Sequence, residues 1–129
     1  MSLLAGAGRA LTGLPYIRMG YASASAPGPR VEMAAPLLDK VRAVVPLPVD
    51  DAVLVRASGG AMVVGGTMVA SSLATRSGAA LVAATLVPTT LAGHAFWKET
   101  DPAARTQMRT QFLKNTAMLG GLLVIAGST

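Results

Sequence analysis

Four long apolar segments follow one another along the 129-residue chain, with shorter polar stretches between them. They cover about residues 3–24, 52–73, 77–97 and 102–127. A helix needs roughly 20 residues to cross about 30 Å of hydrocarbon, and the first three segments have that length. The last is continuously apolar only from about residue 112, so we expect its helix to begin at Pro102, with Asp101 as N-cap, and to run on into the apolar part. The pattern predicts an all-α protein, an integral membrane four-helix bundle.

A shorter amphipathic segment lies between the first two apolar ones, at about residues 31–45. Its apolar residues recur at helical spacing, whereas most of its charged residues lie elsewhere on the helix. The apolar face comprises Val31, Ala34, Ala35, Leu38, Val41 and Val45. This pattern is typical of a helix lying in the membrane interface. The prolines within and around it predict that this helix is broken and has extended flanks.

The composition also favours a membrane protein. Hydrophobic residues make up 52% of the chain and charged residues 13%, against about 25% charged residues in ordinary soluble domains. The 14 glycines suit close helix contacts in lipid, and we expect Gly59, Gly60, Gly65 and Gly66 to form one flat strip for a neighbouring helix. There is no cysteine, which excludes disulfides and thiolate chemistry, and a single histidine makes a multi-histidine metal site within the chain unexpected.

The net charge of +5 lies largely in the connecting segments. Lysine and arginine are concentrated in residues 25–51 and 98–114, and the positive-inside rule then places both connections in the cytoplasm and both termini outside. Nucleic-acid binding is not indicated, because no basic stretch is interleaved with aromatic residues. A signal peptide is the alternative for the first segment, but Arg9 and Arg18 lie inside the apolar run instead of ahead of it.

Several stretches of the chain resemble a known family. They are "GRALTGLPYIRMGYAS", "RVEMAAPLLDKV", "LVRASGGAMVVGG" and "TLVPTTLAGHAFWKETDPAARTQMRTQFLKNTAMLGGLL". Together they are similar to the DoxX family of small four-helix membrane proteins, in its actinobacterial form, over nearly the whole chain. The resemblance implies a multi-pass protein of the bacterial plasma membrane, associated with a larger oxidoreductase complex of respiratory type. It implies no catalytic residue.

The candidate binding residues lie near the predicted membrane boundary. His94 comes one turn before Trp97, while Arg56 and Arg18 lie near the ends of the second and first segments. If the basic connections share one side of the membrane, these four residues lie near the same boundary and could hold the polar head of a quinone or a lipid. A neutral imidazole could donate to a quinone carbonyl and relay a proton.

The same residues have plainer interpretations. The His94 ring would bond a backbone carbonyl or an acidic side chain while Trp97 anchors the helix end, and Arg56 would snorkel or pair with Asp50 or Asp51. A haem-ligand role for His94 would need a second ligand such as Met62, Met68 or another subunit.

The threonines around Pro88 are expected to serve their own helix. Pro88 removes a backbone donor and should kink the third segment, and Thr85, Thr89 and Thr90 should bond carbonyls of that helix.

Three classes of function remain open. The leading one is a non-catalytic structural subunit of a membrane redox complex, because no nucleophile–base pair and no phosphate loop is present. The second is a quinone-binding redox component that uses His94. The third is a small transporter or lipid-binding protein, which would need oligomerisation to form a transport path. The expected partners are a larger membrane complex, lipids or further copies of the chain.

Overall fold

The computed structural model describes residues 2–128, and these residues form helices and no strands. The helices are α1 (Leu3–Ser25), α2 (Pro29–Arg42), α3 (Asp51–Ala70), α4 (Thr75–Gly93) and α5 (Pro102–Gly127), with a single 3₁₀ turn at Phe96–Lys98. The predicted all-α class is confirmed.

The helix ends follow from local capping and from single residues that leave the helical conformation. The carboxylate of Asp101 accepts a hydrogen bond from the Ala104 backbone N–H (3.0 Å), and Pro102 is the first residue of an α5 that runs unbroken to Gly127, as predicted. Helix α4 ends at Gly93, earlier than residue 97, because His94 has φ −129° and ψ 42°. The predicted break in the amphipathic segment is wrong, since α2 continues across Pro36.

The four long helices lie in a row, in the order α1, α3, α4, α5, with neighbours antiparallel. Helix α2 packs across α3 and α4. Within residues 2–128, the outer helices α1 and α5 make no substantial contact with each other. The structure therefore shows an open row of helices, in which α1 and α5 each have one face without a partner.

Glycines bring α1 and α3 into direct backbone contact. Gly13 and Gly20 on α1 face Gly66 and Gly59 on α3, so both helices use glycines seven residues apart. A Cβ atom at Gly13 would lie 2.4 Å from the Gly66 carbonyl oxygen, and one at Gly20 would lie 2.4 Å from the Gly59 carbonyl oxygen. Only glycine allows this approach, which maximises the dispersion contacts that hold helices together in lipid.

The predicted strip of four glycines on α3 is divided among different surroundings. Gly59 and Gly66 face α1, whereas Gly65 faces α4, where its Cβ would lie 2.8 Å from the Gly78 carbonyl oxygen. A Cβ atom at Gly60 would meet no atom within 4 Å. The expectation of a single strip is wrong, because neighbouring residues on a helix point about 100° apart and so reach different partners.

Two segments are long and apolar enough to cross a membrane, Asp51–Ala70 and Thr75–Lys98. In the most apolar 18-residue stretch of each segment, only 28% and 39%, respectively, is buried inside the protein. The core helix of a soluble protein, by contrast, is mostly buried. Helix α1 carries two arginines, and the part of α5 after Lys114 would span only about 20 Å. The structure thus shows two candidate membrane spans. A total of four spans remains a prediction.

Candidate functional site

His94 lies where the chain leaves α4. Its backbone N–H still donates to the Thr90 carbonyl (3.0 Å), and its own carbonyl accepts from the Phe96 N–H (2.8 Å), which turns the chain into the 3₁₀ segment. The half-buried imidazole makes no hydrogen bond with any described residue, so the expected bond to a carbonyl or acidic side chain is not formed. Both ring nitrogens are left for a ligand, lipid or water.

Three aromatic rings hold the α4–α5 connection against α5. Phe96 packs edge-to-face against Trp97 and against Phe112, with ring centroids 5.3 Å apart in each pair, and Trp97 and Phe112 are 5.8 Å apart. The Arg109 guanidinium lies 5.3 Å from the Phe96 ring centroid, a cation–π contact. Trp97, the only tryptophan in the sequence, is 48% exposed despite these ring contacts. The i, i+3 spacing of Arg109 and Phe112 puts them on one face of α5, but sequence alone does not show which segment meets that face.

Arg56 and Arg18 belong to another part of the row. The Arg56 Nη1 donates to the carbonyl oxygens of Ala24 (2.7 Å) and Ser25 (3.3 Å), so Arg56 caps the C-terminal end of α1 and does not pair with Asp50 or Asp51. Arg18 is exposed on α1, a helix that packs against α3 and not substantially against α4 or α5. No hydrogen bond, ion pair or ring contact joins these arginines to His94 or Trp97 in the described part of the chain. The four residues lie at one end of the helix row, and their shared pocket remains a prediction.

The partner of Asp51 is Arg42, which sequence reasoning missed. The Arg42 guanidinium forms an ion pair with Asp51 and donates to the Val49 carbonyl (2.8 Å). These contacts hold the end of α2 against the start of α3. Asp50 occupies the N-cap position of α3 but makes no side-chain cap bond. An open depression of about 670 Å³ lies beside the Arg42–Asp51 ion pair, and both residues line it. The charge of Arg42 there is already compensated by Asp51.

A buried polar pair joins α4 to α5. The Asn115 Nδ2 donates to the Thr90 Oγ1 over 2.9 Å, and these residues are 3% and 8% exposed. Thr85 and Thr89 bond carbonyls of their own helix as predicted, whereas the bond found at Thr90 is to the neighbouring helix. In the sequence Asn115 follows Lys114 at the end of a polar stretch, and its burial depends on α4 being its neighbour.

One atom of this pair has no partner. The Oδ1 of Asn115 is buried and accepts no hydrogen bond from the described residues. Leaving such a group unsatisfied costs about 1–3 kcal/mol. Asn115 and Thr90 line a partly open cavity of about 110 Å³ between α4 and α5, whose remaining lining is mostly apolar. The cavity therefore brings a buried, unsatisfied polar atom next to a partly open apolar space.

The side chains around His94 and the cavity between α4 and α5 are suited to binding a ligand or packing against another protein. Among residues 2–128, no three histidine, cysteine, aspartate or glutamate side chains lie close enough together to hold a metal ion. Met62 and Met68, considered as second haem ligands, lie where α3 meets α1 and α4, respectively. A quinone could still meet the open nitrogens of His94 beside the aromatic rings.

No family model, curated protein or solved structure matches this chain.

Proposed function

We propose that this protein is a small, non-catalytic subunit of a larger oxidoreductase complex in a bacterial plasma membrane. The oxidoreductase partner and the plasma membrane rest on the resemblance to the DoxX family. The need for a partner or a bilayer rests on the surface of the folded chain.

The observation that carries the proposal is the size and chemistry of that surface. A compact soluble protein of 13.0 kDa exposes about 6,300 Å², whereas this chain exposes 7699 Å². Among residues 2–128, twenty large hydrophobic side chains are exposed, against nine buried hydrophobic residues in the core. The exposed ones occur on every long helix, from Leu3 on α1 to Val124 on α5. Such a row is stable only when lipid or protein covers its faces.

Open glycines favour a protein partner on the outer faces. Gly6 and Gly8 on α1, and Gly120 and Gly121 on α5, have open space on the side where a Cβ atom would lie, with no neighbouring atom within 4 Å of that position. Exposed glycines weaken a helix without benefit unless another backbone approaches them. These open glycines lie on the two outer helices, as we expect for a subunit with another protein beside it.

The proposal is tested by gentle detergent extraction of the tagged chain followed by native mass spectrometry. We expect respiratory proteins to accompany it, and Gly121→Leu to lose them because the bulky side chain keeps a partner helix away. Gly121→Ala is the matched control, since a methyl group there meets nothing in the chain itself. Recovery of the native chain only as a free monomer would contradict the subunit proposal, and recovery with unrelated membrane proteins would contradict its redox part.

The open ring nitrogens of His94 favour a second candidate, a quinone-binding component. In an intact assembly, His94→Ala should then slow quinone-dependent electron transfer, whereas Lys98→Ala, four residues further on, should leave it unchanged. Unaltered electron transfer in His94→Ala would dismiss this candidate and leave the structural subunit.

A further inference from the structure

The cavity between α4 and α5 has the chemistry of a binding site that is independent of His94. Its lining includes Asn115, whose Oδ1 is buried without a partner, and Thr90, which uses its oxygen to accept the one hydrogen bond found for that amide. The amide of asparagine offers an acceptor oxygen and two N–H donors. A ligand reaching the cavity therefore meets an unused hydrogen-bonding group in otherwise apolar surroundings.

A hydroxyl fits Asn115 in both orientations of its amide. As the pair stands, Nδ2 donates to Thr90 and Oδ1 is open to a donor. With the amide turned over, Oδ1 would accept the Thr90 hydroxyl proton and Nδ2 would be open to an acceptor. A hydroxyl both donates and accepts, whereas a ketone or an ether only accepts.

The size and lining of the cavity define the rest of the ligand. Its volume is about 110 Å³, and a closed apolar cavity of about 150 Å³ holds benzene. The site is partly open, so a ring or short chain can enter head first while its remainder stays between the helices. The apolar lining comprises Leu86, Val87, Leu91, Phe112 and Leu119. Thr116 also lines the cavity, but its hydroxyl already donates to the Phe112 carbonyl (2.9 Å).

We propose that this cavity binds the hydroxyl end of an apolar alcohol or phenol from the lipid phase, with Asn115 as the hydrogen-bonding residue. Water is the less suitable occupant, because a buried water usually needs two to four polar partners and this lining is mostly apolar. The site goes beyond the proposed subunit function, and its existence does not depend on which complex the chain joins.

Trp97 provides the readout. Its ring is 5.8 Å from that of Phe112, which lines the cavity, and it is the only tryptophan. The chain in lipid nanodiscs is titrated with cyclohexanol, and Trp97 emission is followed. Methylcyclohexane replaces the hydroxyl by a methyl group, and methoxycyclohexane keeps only the acceptor.

The expected result is saturable binding of cyclohexanol that is about fivefold tighter than that of methylcyclohexane, the size of one net hydrogen bond. Methoxycyclohexane should bind like methylcyclohexane if Oδ1 is the open atom, and like cyclohexanol if the amide is turned over. Either result supports the site, provided that cyclohexanol is preferred to the hydrocarbon.

Two variants separate the site from general partitioning into lipid. The double variant Thr90→Val/Asn115→Leu removes both polar partners and leaves no orphaned group, so it should fold and should lose the preference for cyclohexanol. Thr116→Val changes the same cavity but removes a hydroxyl that is already satisfied, and it should keep the preference. Equal binding of alcohol and hydrocarbon by the native chain, no saturable binding at all, or a preference retained in a folded double variant would overturn the proposal.

Discussion

Substitution of Gly59 by alanine tests the direct contact between α1 and α3. The added Cβ would lie 2.6 Å from the Gly20 carbonyl oxygen and 2.7 Å from the Ala24 backbone nitrogen. Atoms of this kind normally approach to about 3.5 Å, so the helices must separate by roughly 1 Å. Both contacted atoms belong to the backbone, and neither can move without the helix that carries it. Overpacking of this kind costs about 1–3 kcal/mol.

Gly60→Ala is the matched control, because a Cβ at Gly60 meets nothing within 4 Å. Both variants gain the same preference of alanine over glycine in a helix, about 1 kcal/mol in soluble hosts. That gain cancels when the two variants are compared, and the steric cost remains. Gly59→Ala should therefore unfold more easily than Gly60→Ala by about 1–3 kcal/mol.

The assay is unfolding in mixed micelles by increasing the fraction of sodium dodecyl sulfate, followed by circular dichroism. Gly20→Ala, on the facing helix, should be destabilised like Gly59→Ala, since its Cβ would lie 2.4 Å from the Gly59 carbonyl oxygen. Equal unfolding midpoints for Gly59→Ala and Gly60→Ala would refute the backbone contact between α1 and α3.

Two further predictions concern single side chains. Phe112→Ala should remove one of the rings packed against Trp97, so that acrylamide quenches Trp97 emission more strongly. Leu113→Ala, at an exposed site, should leave the quenching unchanged. Equal quenching in both variants would contradict the aromatic contact. Arg56→Met should free the carbonyl of Ala24 and raise amide hydrogen exchange at the C-terminal end of α1, by about tenfold for the loss of one charged hydrogen bond. Unchanged exchange there would show that the cap does not stabilise that end.

The positions of the helices could be predicted from the sequence because they depend on local features. Apolar length sets where each helix lies, and the pairing of Asp101 with Pro102 sets where α5 begins. The early end of α4 was not predicted, although Gly93, directly before His94, is a local signal for a helix end. The packing of Phe96 onto α5 accompanies that turn.

The contacts between helices could not be predicted in the same way. The partner of Asn115 depends on which helix lies beside α5, and the partner of Arg56 depends on where α1 ends. Sequence reasoning selected His94 and Trp97 because they are single residues of their kind in an apolar chain. It passed over Asn115, whose type is common in polar connections and whose burial appears only when the helices are assembled.

Resistance to extraction from membranes tests the central claim most directly. Membranes containing the tagged chain are washed with alkaline carbonate, which releases peripheral proteins and leaves integral ones in the pellet. Because Asp51–Ala70 and Thr75–Lys98 are long enough to cross the bilayer and are mostly exposed, we predict that the chain stays with the pellet until detergent is added. Release into the wash, followed by elution from a sizing column as a compact monomer without detergent, would contradict it.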